Sequence, residues 1–204
     1  MFLNFKVLNF FMPGIKYREM LKSLFKKPVF SVKDFSAKGV PPAYARKKLH
    51  LLEKRKIINR IERGKYTAYD DPLLVAPYIS LPSYLSLWTA LSMHGFTEQI
   101  PFNIEVVTSR KRFSRKIDFL GTKIIFYVVK PKAMFGYNYL IRKEVRIPFA
   151  SIEKTVIDAL YLKRIPINEL SNAIKKCDKK KLSDYAEMLG DRRVIKKIKE
   201  VTKC

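Results

Sequence analysis

The residues whose types and spacing could do chemistry are mostly cations, and they concentrate between residues 41 and 69. Arg46, Lys47 and His50 recur at helical spacing on one polar face. The opposite, apolar face consists of Ala45, Leu49 and Leu52. Guanidinium, ammonium and imidazole groups on the outward face of a helix can hydrogen-bond base edges in the major groove of DNA. This pattern therefore predicts a recognition helix that begins near Pro42.

A basic hairpin is predicted directly after this helix. The sequence changes to short apolar alternation over residues 57–61, and Gly64 supplies a turn before residues 65–69. The expected contacts of the hairpin with the DNA backbone or minor groove come from Arg60, Arg63 and Lys65. Tyr44 and Lys48 flank the polar helix face, where they would contact phosphates. A basic helix followed by a basic hairpin indicates a winged helix-turn-helix.

The residues before this helix fit the same architecture. Apolar residues at i, i+3, i+4 and i+7 predict an amphipathic helix over residues 15–26. Residues 28–30 read as a short strand. Ser31 and Asp34 then form a near capping box at the start of a brief second helix that ends by Gly39.

The remainder of the chain predicts a second domain of the α+β class. We expect a helix over 83–95, strands at 103–108, 123–129 and 139–147 (the last broken near Arg142), and helices from Ser151, over 167–176, 179–189 and 191–202. The predicted fold class is thus α+β, with an N-terminal winged helix-turn-helix followed by a domain with a small sheet and C-terminal helices. The expected divisions are an apolar tail (1–11), the winged domain (12–70), a proline-containing linker (71–82) and the second domain (83–204).

The charge of the chain points to a polyanionic partner. There are 42 basic and 18 acidic residues, which leaves a net charge of +24. Residues 1–65 carry +13, residues 66–109 contain no Lys or Arg, and residues 110–164 carry +10. Such an excess of positive charge indicates binding to nucleic acid or to an anionic membrane surface. The alternative is an organism or cellular environment in which proteins are generally basic, so that the charge indicates no specific partner. Residues 1–11 are apolar, but they are too short and too interrupted by polar residues for a signal peptide or a membrane span, and no membrane partner is expected.

A second basic stretch lies in the second domain. It is a predicted loop with five cations in seven residues, namely Arg110, Lys111, Arg112, Arg115 and Lys116. Phe113 stands between them. The stretch could extend a DNA footprint or meet a second partner, and a solvated loop without function fits equally well.

Catalytic and metal-binding patterns are weak. The two histidines and the two cysteines, Cys177 and Cys204, lack the spacing of a metal site, and cysteine usage suits a reducing cytoplasm. Asp118 and Glu144 could be matched to a magnesium-dependent nuclease pattern, but Arg146 stands where that pattern needs lysine. We therefore expect no enzyme, no catalytic residue, no metal and no cofactor.

Three stretches together resemble one known family: residues 63–66 (RGKY), 82–101 (PSYLSLWTALSMHGFTEQIP) and 147–160 (IPFASIEKTVIDAL). In order and spacing they are similar to the AbiEi family of antitoxins and transcriptional regulators, from abortive-infection type IV toxin–antitoxin systems. The resemblance covers the chain from about residue 15. It implies a DNA-binding autorepressor of its own operon, with a nucleotidyltransferase-like toxin encoded nearby that it counteracts without necessarily forming a stable complex. The alternatives are a magnesium-dependent nuclease-like enzyme with a winged-helix domain and a basic RNA-binding accessory protein.

Overall fold

The structure is a computed structural model that describes residues 15–97 and 102–202. The described residues form two compact units, one that ends at Asp70 and one that starts at Asp71. The predicted apolar tail over residues 1–11 and Cys204 lie outside the described residues, as do the last four residues of the 82–101 stretch.

The first unit is a winged helix-turn-helix. Its elements in chain order are α1 (Ile15–Phe25), β1 (Phe30–Ser31), α2 (Val32–Ser36), α3 (Pro42–Lys54), β2 (Asn59–Glu62) and β3 (Lys65–Thr67). β3 lies between β1 and β2 in a small antiparallel sheet. The predicted element order is confirmed, because the helical and hairpin signals in this region are local and agree with one another.

An aromatic cluster holds the first unit together. The rings of Phe25 and Phe30 have centroids 5.7 Å apart, and those of Phe30 and Phe35 are 6.5 Å apart. All three side chains are buried, and they come from α1, β1 and α2. The apolar face of α3 packs into the same core, where each buried aromatic or aliphatic side chain contributes roughly 1.5–3 kcal/mol of transfer free energy.

The second unit is a six-stranded mixed sheet with helices. Its elements are α4 (Pro72–Val75), a 3-10 turn (Ala76–Tyr78), β4 (Ser83–Leu85), α5 (Leu87–Met93), β5 (Asn103–Thr108), β6 (Lys116–Phe119), β7 (Thr122–Val128), a 3-10 turn (Pro131–Ala133), β8 (Tyr137–Arg142), β9 (Val145–Ala150), α6 (Ile152–Leu162), a 3-10 turn (Ile167–Leu170), α7 (Ser171–Lys176), α8 (Lys179–Leu189) and α9 (Arg192–Thr202). The strand order is β6-β7-β5-β4-β9-β8. The predicted α+β class with C-terminal helices is confirmed.

Two local predictions in the second unit are wrong. The helix predicted over 83–95 begins only at Leu87, because Ser83–Leu85 form β4 between β5 and β9. All three residues of this strand are buried, so it lacks the alternation of buried and exposed residues by which a strand is recognised from sequence. The predicted basic loop includes Lys116, but Lys116 begins β6 and pairs with Ile125.

Residues 71–82, for which the sequence predicts a linker, lie inside the second unit. The Asp71 carboxylate accepts a hydrogen bond from the Leu73 amide and caps α4. Leu74, Val75 and Ile79 are buried. Two of the three prolines that suggest a linker, Pro72 and Pro77, sit at the first turns of α4 and of the 3-10 turn, where a missing N–H costs nothing. No helix in the described ranges is long and apolar enough to cross a membrane.

We expect Gly136→Ala to destabilise the second unit. Gly136 has φ +70°, and a Cβ there would lie 2.6 Å from Cε2 of Tyr185. Left-handed backbone strain of roughly 1–2 kcal/mol would add to overpacking of roughly 1–3 kcal/mol. Urea unfolding followed by the fluorescence of Trp88 measures the decrease in stability.

Gly121→Ala is the matched control, because Gly121 has φ +79° but a Cβ there would meet no atom within 4 Å. Gly121→Ala should lose only the roughly 1–2 kcal/mol of stability that left-handed backbone strain costs. Equal destabilisation of the two variants would contradict the overpacking at Gly136.

Candidate DNA-binding surface

The predicted recognition helix is α3, and its two faces differ as the sequence predicts. Ala45, Leu49 and Leu52 are buried in the core of the first unit. Arg46, Lys47 and His50 are exposed. Pro42 occupies the first turn of the helix. α3 therefore presents three hydrogen-bonding side chains to the outside while its apolar face fixes the helix in place.

A capping box sets the start of α2, the helix before α3. The Ser31 hydroxyl and the Ser31 amide both donate to Oδ2 of Asp34, at 2.9 and 2.8 Å. Lys27 Nζ lies 2.6 Å from Oδ1 of the same carboxylate. Partial burial raises the pKa of Asp34, but the hydrogen bonds from Lys27 and Ser31 outweigh it and hold that pKa below its ordinary value of 3.8.

The end of α3 carries a left-handed residue that leads into the hairpin. The Ile57 amide donates to the Leu52 carbonyl and the Lys56 amide to the Glu53 carbonyl, at 3.0 and 2.8 Å, which is a Schellman motif. Lys56 has φ +57°, a conformation that usually favours glycine. Because the sequence has lysine there, this turn carries no glycine signal. Arg55 and Lys56 are exposed and extend the cationic surface beyond the predicted residues.

The wing is short, and one of its cations is already paired. Arg63 and Gly64 form its turn, with Gly64 at φ +79°, and Glu62 pairs with Lys65 across it. Lys65 Nζ lies 2.7 Å from the Glu62 carboxylate, so part of its charge is already compensated. Arg60 and Arg63 are the wing cations that face solvent most openly.

The two predicted phosphate contacts on α3 pack against each other. Lys48 Nζ lies 5.2 Å from the ring centroid of Tyr44, a cation–π distance. Tyr44 is exposed and Lys48 is half-buried. The Lys48 ammonium group is thus held over the tyrosine ring.

The basic loop of the second unit has internal structure. The Arg112 guanidinium lies 4.1 Å from the ring centroid of Phe126, and its Nε donates to the Ser114 carbonyl at 3.0 Å. Arg110, Lys111 and Arg115 are exposed, as is Lys116 at the start of β6. Arg112 is therefore engaged in holding the loop on the sheet, whereas the other four cations face solvent.

The carboxylates of the nuclease reading are far apart. Asp118 is in β6, at one edge of the sheet, and Glu144 is in the turn between β8 and β9, at the other edge. Four strand spacings separate β6 from β9, which amounts to roughly 19 Å. That separation is too large for one metal ion, so this pairing is wrong.

Other metal-binding groupings are likewise missing in the described part of the chain, where no three His, Cys, Asp or Glu residues come together. Cys177 is buried, and burial together with Glu153 nearby raises the pKa of its thiol to about 12. Such a thiol is not an activated nucleophile at neutral pH.

A buried polar cluster joins two of the stretches that carry the family resemblance. Asp158 on α6 accepts hydrogen bonds from the Tyr84 and Ser86 hydroxyls, at 3.0 and 2.8 Å, and lies 2.8 Å from Lys154 Nζ. Lys154 and Asp158 are fully buried. The cluster is enclosed, so it offers no surface to a substrate.

Comparison with known protein families gives a match to the first unit. Residues 18–69, a quarter of the chain, match a family model described as "Transcriptional regulator, AbiEi antitoxin". Residues 18–69 are therefore similar to the AbiEi family. The match takes in all of α3 and the wing, and it confirms the predicted resemblance for this unit. The other two stretches that carry the resemblance, 82–101 and 147–160, lie outside it.

A solved structure matches over both units. It is the crystal structure of the RV2827C protein from Mycobacterium tuberculosis, with a TM-score of 0.52 and 13% sequence identity over 86% of this chain and 72% of that chain. At this identity the likeness shows the fold alone. None of the curated proteins matches the chain.

We expect Asp34→Ala to loosen the helix-turn-helix in a pH-dependent way. The pKa of Asp34 is lowered on folding, so its contribution is present above pH 3.8 and is lost as the pH falls through the lowered folded pKa. At neutral pH the variant should be less stable by roughly 1 kcal/mol, typical of a helix cap. Urea unfolding by circular dichroism should show the difference from wild type narrowing as the pH is lowered below 3.8.

Glu19→Ala is the control, since Glu19 is an exposed carboxylate in the same unit. Trp88 fluorescence reports the second unit and should be unchanged in both variants. If Asp34→Ala destabilised the first unit equally at neutral and acid pH, the ionised Asp34 carboxylate would not be the source of the stabilisation.

Proposed function

We propose that this protein is a DNA-binding transcriptional regulator that represses its own operon and acts as the antitoxin of a type IV toxin–antitoxin system. The family match over residues 18–69 supports the regulator and antitoxin roles. The proposal that the protein counteracts a toxin rests also on the resemblance of residues 82–101 and 147–160 to AbiEi antitoxins. The expected toxin is a nucleotidyltransferase-like protein encoded nearby, which need not form a stable complex.

The observation that carries the proposal is the exposed cationic face of α3. Arg46, Lys47 and His50 face solvent, while the opposite side of the same helix is anchored in a core. A bidentate arginine contact to a base edge distinguishes the right base from a wrong one by roughly 1–3 kcal/mol. We assign base contacts to these three residues and phosphate contacts to Tyr44, Lys48, Arg60, Arg63 and Lys65.

The division of labour follows the two units. We propose residues 12–70 as the DNA-binding domain and the chain from Asp71 as the antitoxin domain, with no catalytic residue and no cofactor. Arg110, Lys111, Arg115 and Lys116 are proposed as an additional nucleic-acid contact. Repression and antitoxin action of this kind place the protein in the cytoplasm.

We expect the triple variant Arg46→Ala, Lys47→Ala and His50→Ala to discriminate poorly between DNA sequences. Fluorescence anisotropy with the chain's own upstream DNA and with a scrambled duplex, at one fixed salt concentration, measures the ratio of the two affinities. Removal of the base contacts should lower that ratio by roughly tenfold for each contact that is bidentate.

Lys175→Ala with Lys176→Ala is the matched control, because it removes the same number of full positive charges from an exposed helix in the second unit. It should weaken both duplexes equally. Unchanged discrimination in the α3 variant would overturn the recognition-helix assignment. Equal affinity of the wild type for both duplexes would favour a general nucleic-acid-binding role instead.

A separate expectation concerns the basic loop. Arg110→Ala with Lys111→Ala should flatten the dependence of log K on log salt by about 0.9 for each phosphate that is no longer neutralised. Arg112 is left intact because it stacks on Phe126. The affinity ratio between operator and scrambled DNA should stay the same. A salt slope equal to that of the wild type would remove the loop from the interface.

Relief of toxicity tests the antitoxin role. The neighbouring nucleotidyltransferase-like gene, expressed alone, should arrest growth, and co-expression of this chain should restore it. The α3 variant should restore growth as well as the wild type does, since its defect lies in DNA binding. Failure of the wild type to restore growth would leave a regulator without antitoxin function.

A further inference from the structure

The two edges of the six-stranded sheet differ in character. β6 is a four-residue strand with charged side chains at Lys116 and Asp118, features that discourage pairing with another strand. β8, at the other edge, has six residues and pairs only with β9 among the described residues. In the C-terminal half of β8 three consecutive apolar side chains are exposed, those of Tyr139, Leu140 and Ile141, and Ile141 is 70% exposed. The other large apolar side chains exposed in the described ranges stand singly.

The hydrogen-bond pattern between β8 and β9 determines which N–H and C=O groups of β8 point away from β9. The Ser151 amide donates to the Gly136 carbonyl at 2.9 Å, one step before the ladder in which Tyr137 is opposite Ala150. Inward and outward residues alternate along an antiparallel strand. The N–H and C=O groups that point away from β9 are therefore those of Tyr137, Tyr139 and Ile141.

A contact made by β9 supports this hydrogen-bond pattern. Arg146 is opposite Ile141, and its carbonyl accepts a hydrogen bond from the Tyr78 hydroxyl. The Arg146 carbonyl thus points away from β8, as a pair without mutual hydrogen bonds requires. Ile141 consequently has its own backbone groups on the open side.

The open edge carries few charges in a strongly basic protein. Its cations are Arg142, which ends β8 and lies 3.4 Å from the Asp71 carboxylate, and Arg146 on β9, which lies over the Tyr139 ring. Residues 133–141 contain no charged side chain, although the chain carries +24. Two copies of such a protein repel each other wherever cationic surfaces meet, and least where the surface is uncharged. An acidic partner would instead gain most from a cationic surface. The charge distribution therefore favours a second copy of the same chain at this edge.

We propose that β8 pairs antiparallel with β8 of a second copy, with the two-fold axis at Tyr139. The three outward residues are symmetric about Tyr139, so this register pairs Tyr139 with its own equivalent and Tyr137 with Ile141. All the outward N–H and C=O groups are satisfied at once, and the two sheets become one. Arg142 falls opposite Gly136 of the second copy, so the two Arg142 side chains do not meet.

The side chains on this face suit the pairing. Arg146 lies 4.5 Å from the ring centroid of Tyr139, and the Tyr139 ring stands edge-on to Tyr137 at 6.0 Å. Tyr139 is thus already held near the axis before association. Ile141 would cover its exposed surface against Tyr137 of the second copy.

Sedimentation equilibrium of the full chain without DNA tests the pairing. We expect a concentration-dependent mass that approaches twice 23.9 kDa. Ile141→Lys should weaken the dimer at least tenfold, because it replaces an apolar contact by a cation opposite Arg146. Met188→Lys, at an exposed apolar residue on α8, should leave the dimer unchanged. A wild-type mass of 23.9 kDa at all concentrations, or equal effects of the two variants, would overturn the proposal.

Cysteine cross-linking tests the register. In a Cys204→Ser background, Tyr139→Cys should form a disulfide-linked dimer on mild oxidation, since equivalent Cα atoms would lie about 5.5 Å apart. Ile141→Cys should not, because the register sets its equivalents four residues apart, about 13 Å. Cross-linking of Ile141→Cys as readily as Tyr139→Cys would overturn the two-fold axis at Tyr139. The readout needs no DNA, so it is independent of the proposed regulator function.

Discussion

The buried ion pair between Lys154 and Asp158 is the interaction on which the second unit depends. Its atoms are 2.8 Å apart and both side chains are fully buried. The ammonium group also lies 4.2 Å from the ring centroid of Phe135, while the second carboxylate oxygen accepts hydrogen bonds from β4 and from the residue after it. Removing one member of such a pair costs roughly 3–5 kcal/mol, because the other charge stays buried without a partner. The pair lies within α6, and the hydrogen bonds from Tyr84 and Ser86 to its carboxylate hold this helix against the middle of the sheet. They join two stretches that are far apart in sequence.

The first unit depends on a different kind of interaction. Its core is apolar, and the aromatic side chains of α1, β1 and α2 form the platform on which α3 lies. The polar contacts of this unit are peripheral ones, such as the capping box at Ser31 and the ion pair across the wing. Exposed ion pairs contribute little to stability, so the cations on the outer face of α3 are not needed for folding. They are available to be selected for binding.

This contrast explains how the two units can serve separate roles. In the first unit the charged groups face solvent, where a polyanion can displace counterions from them. In the second unit the most strongly constrained charged groups are enclosed and organise the fold, and burial also raises the pKa of Glu105 against the hydrogen bonds from Tyr127 and the Trp88 amide. The parts of the second unit for which we propose partners are its basic loop and the open edge of its sheet. Both are surface features, and neither needs the buried cluster to open.

The sequence by itself determined the features that depend on near neighbours along the chain. The two faces of α3, the capping box of α2, the span of α8 and the winged-helix order could all be read from helical spacing, caps and turn residues. Only the tertiary structure decided which distant residues meet. It made residues 83–85 a central strand, placed the Arg112 guanidinium on Phe126, and separated Asp118 from Glu144. The physical reason is that strand order and side-chain partners are set by contacts between segments far apart in sequence, and those contacts leave no periodic pattern in either segment alone.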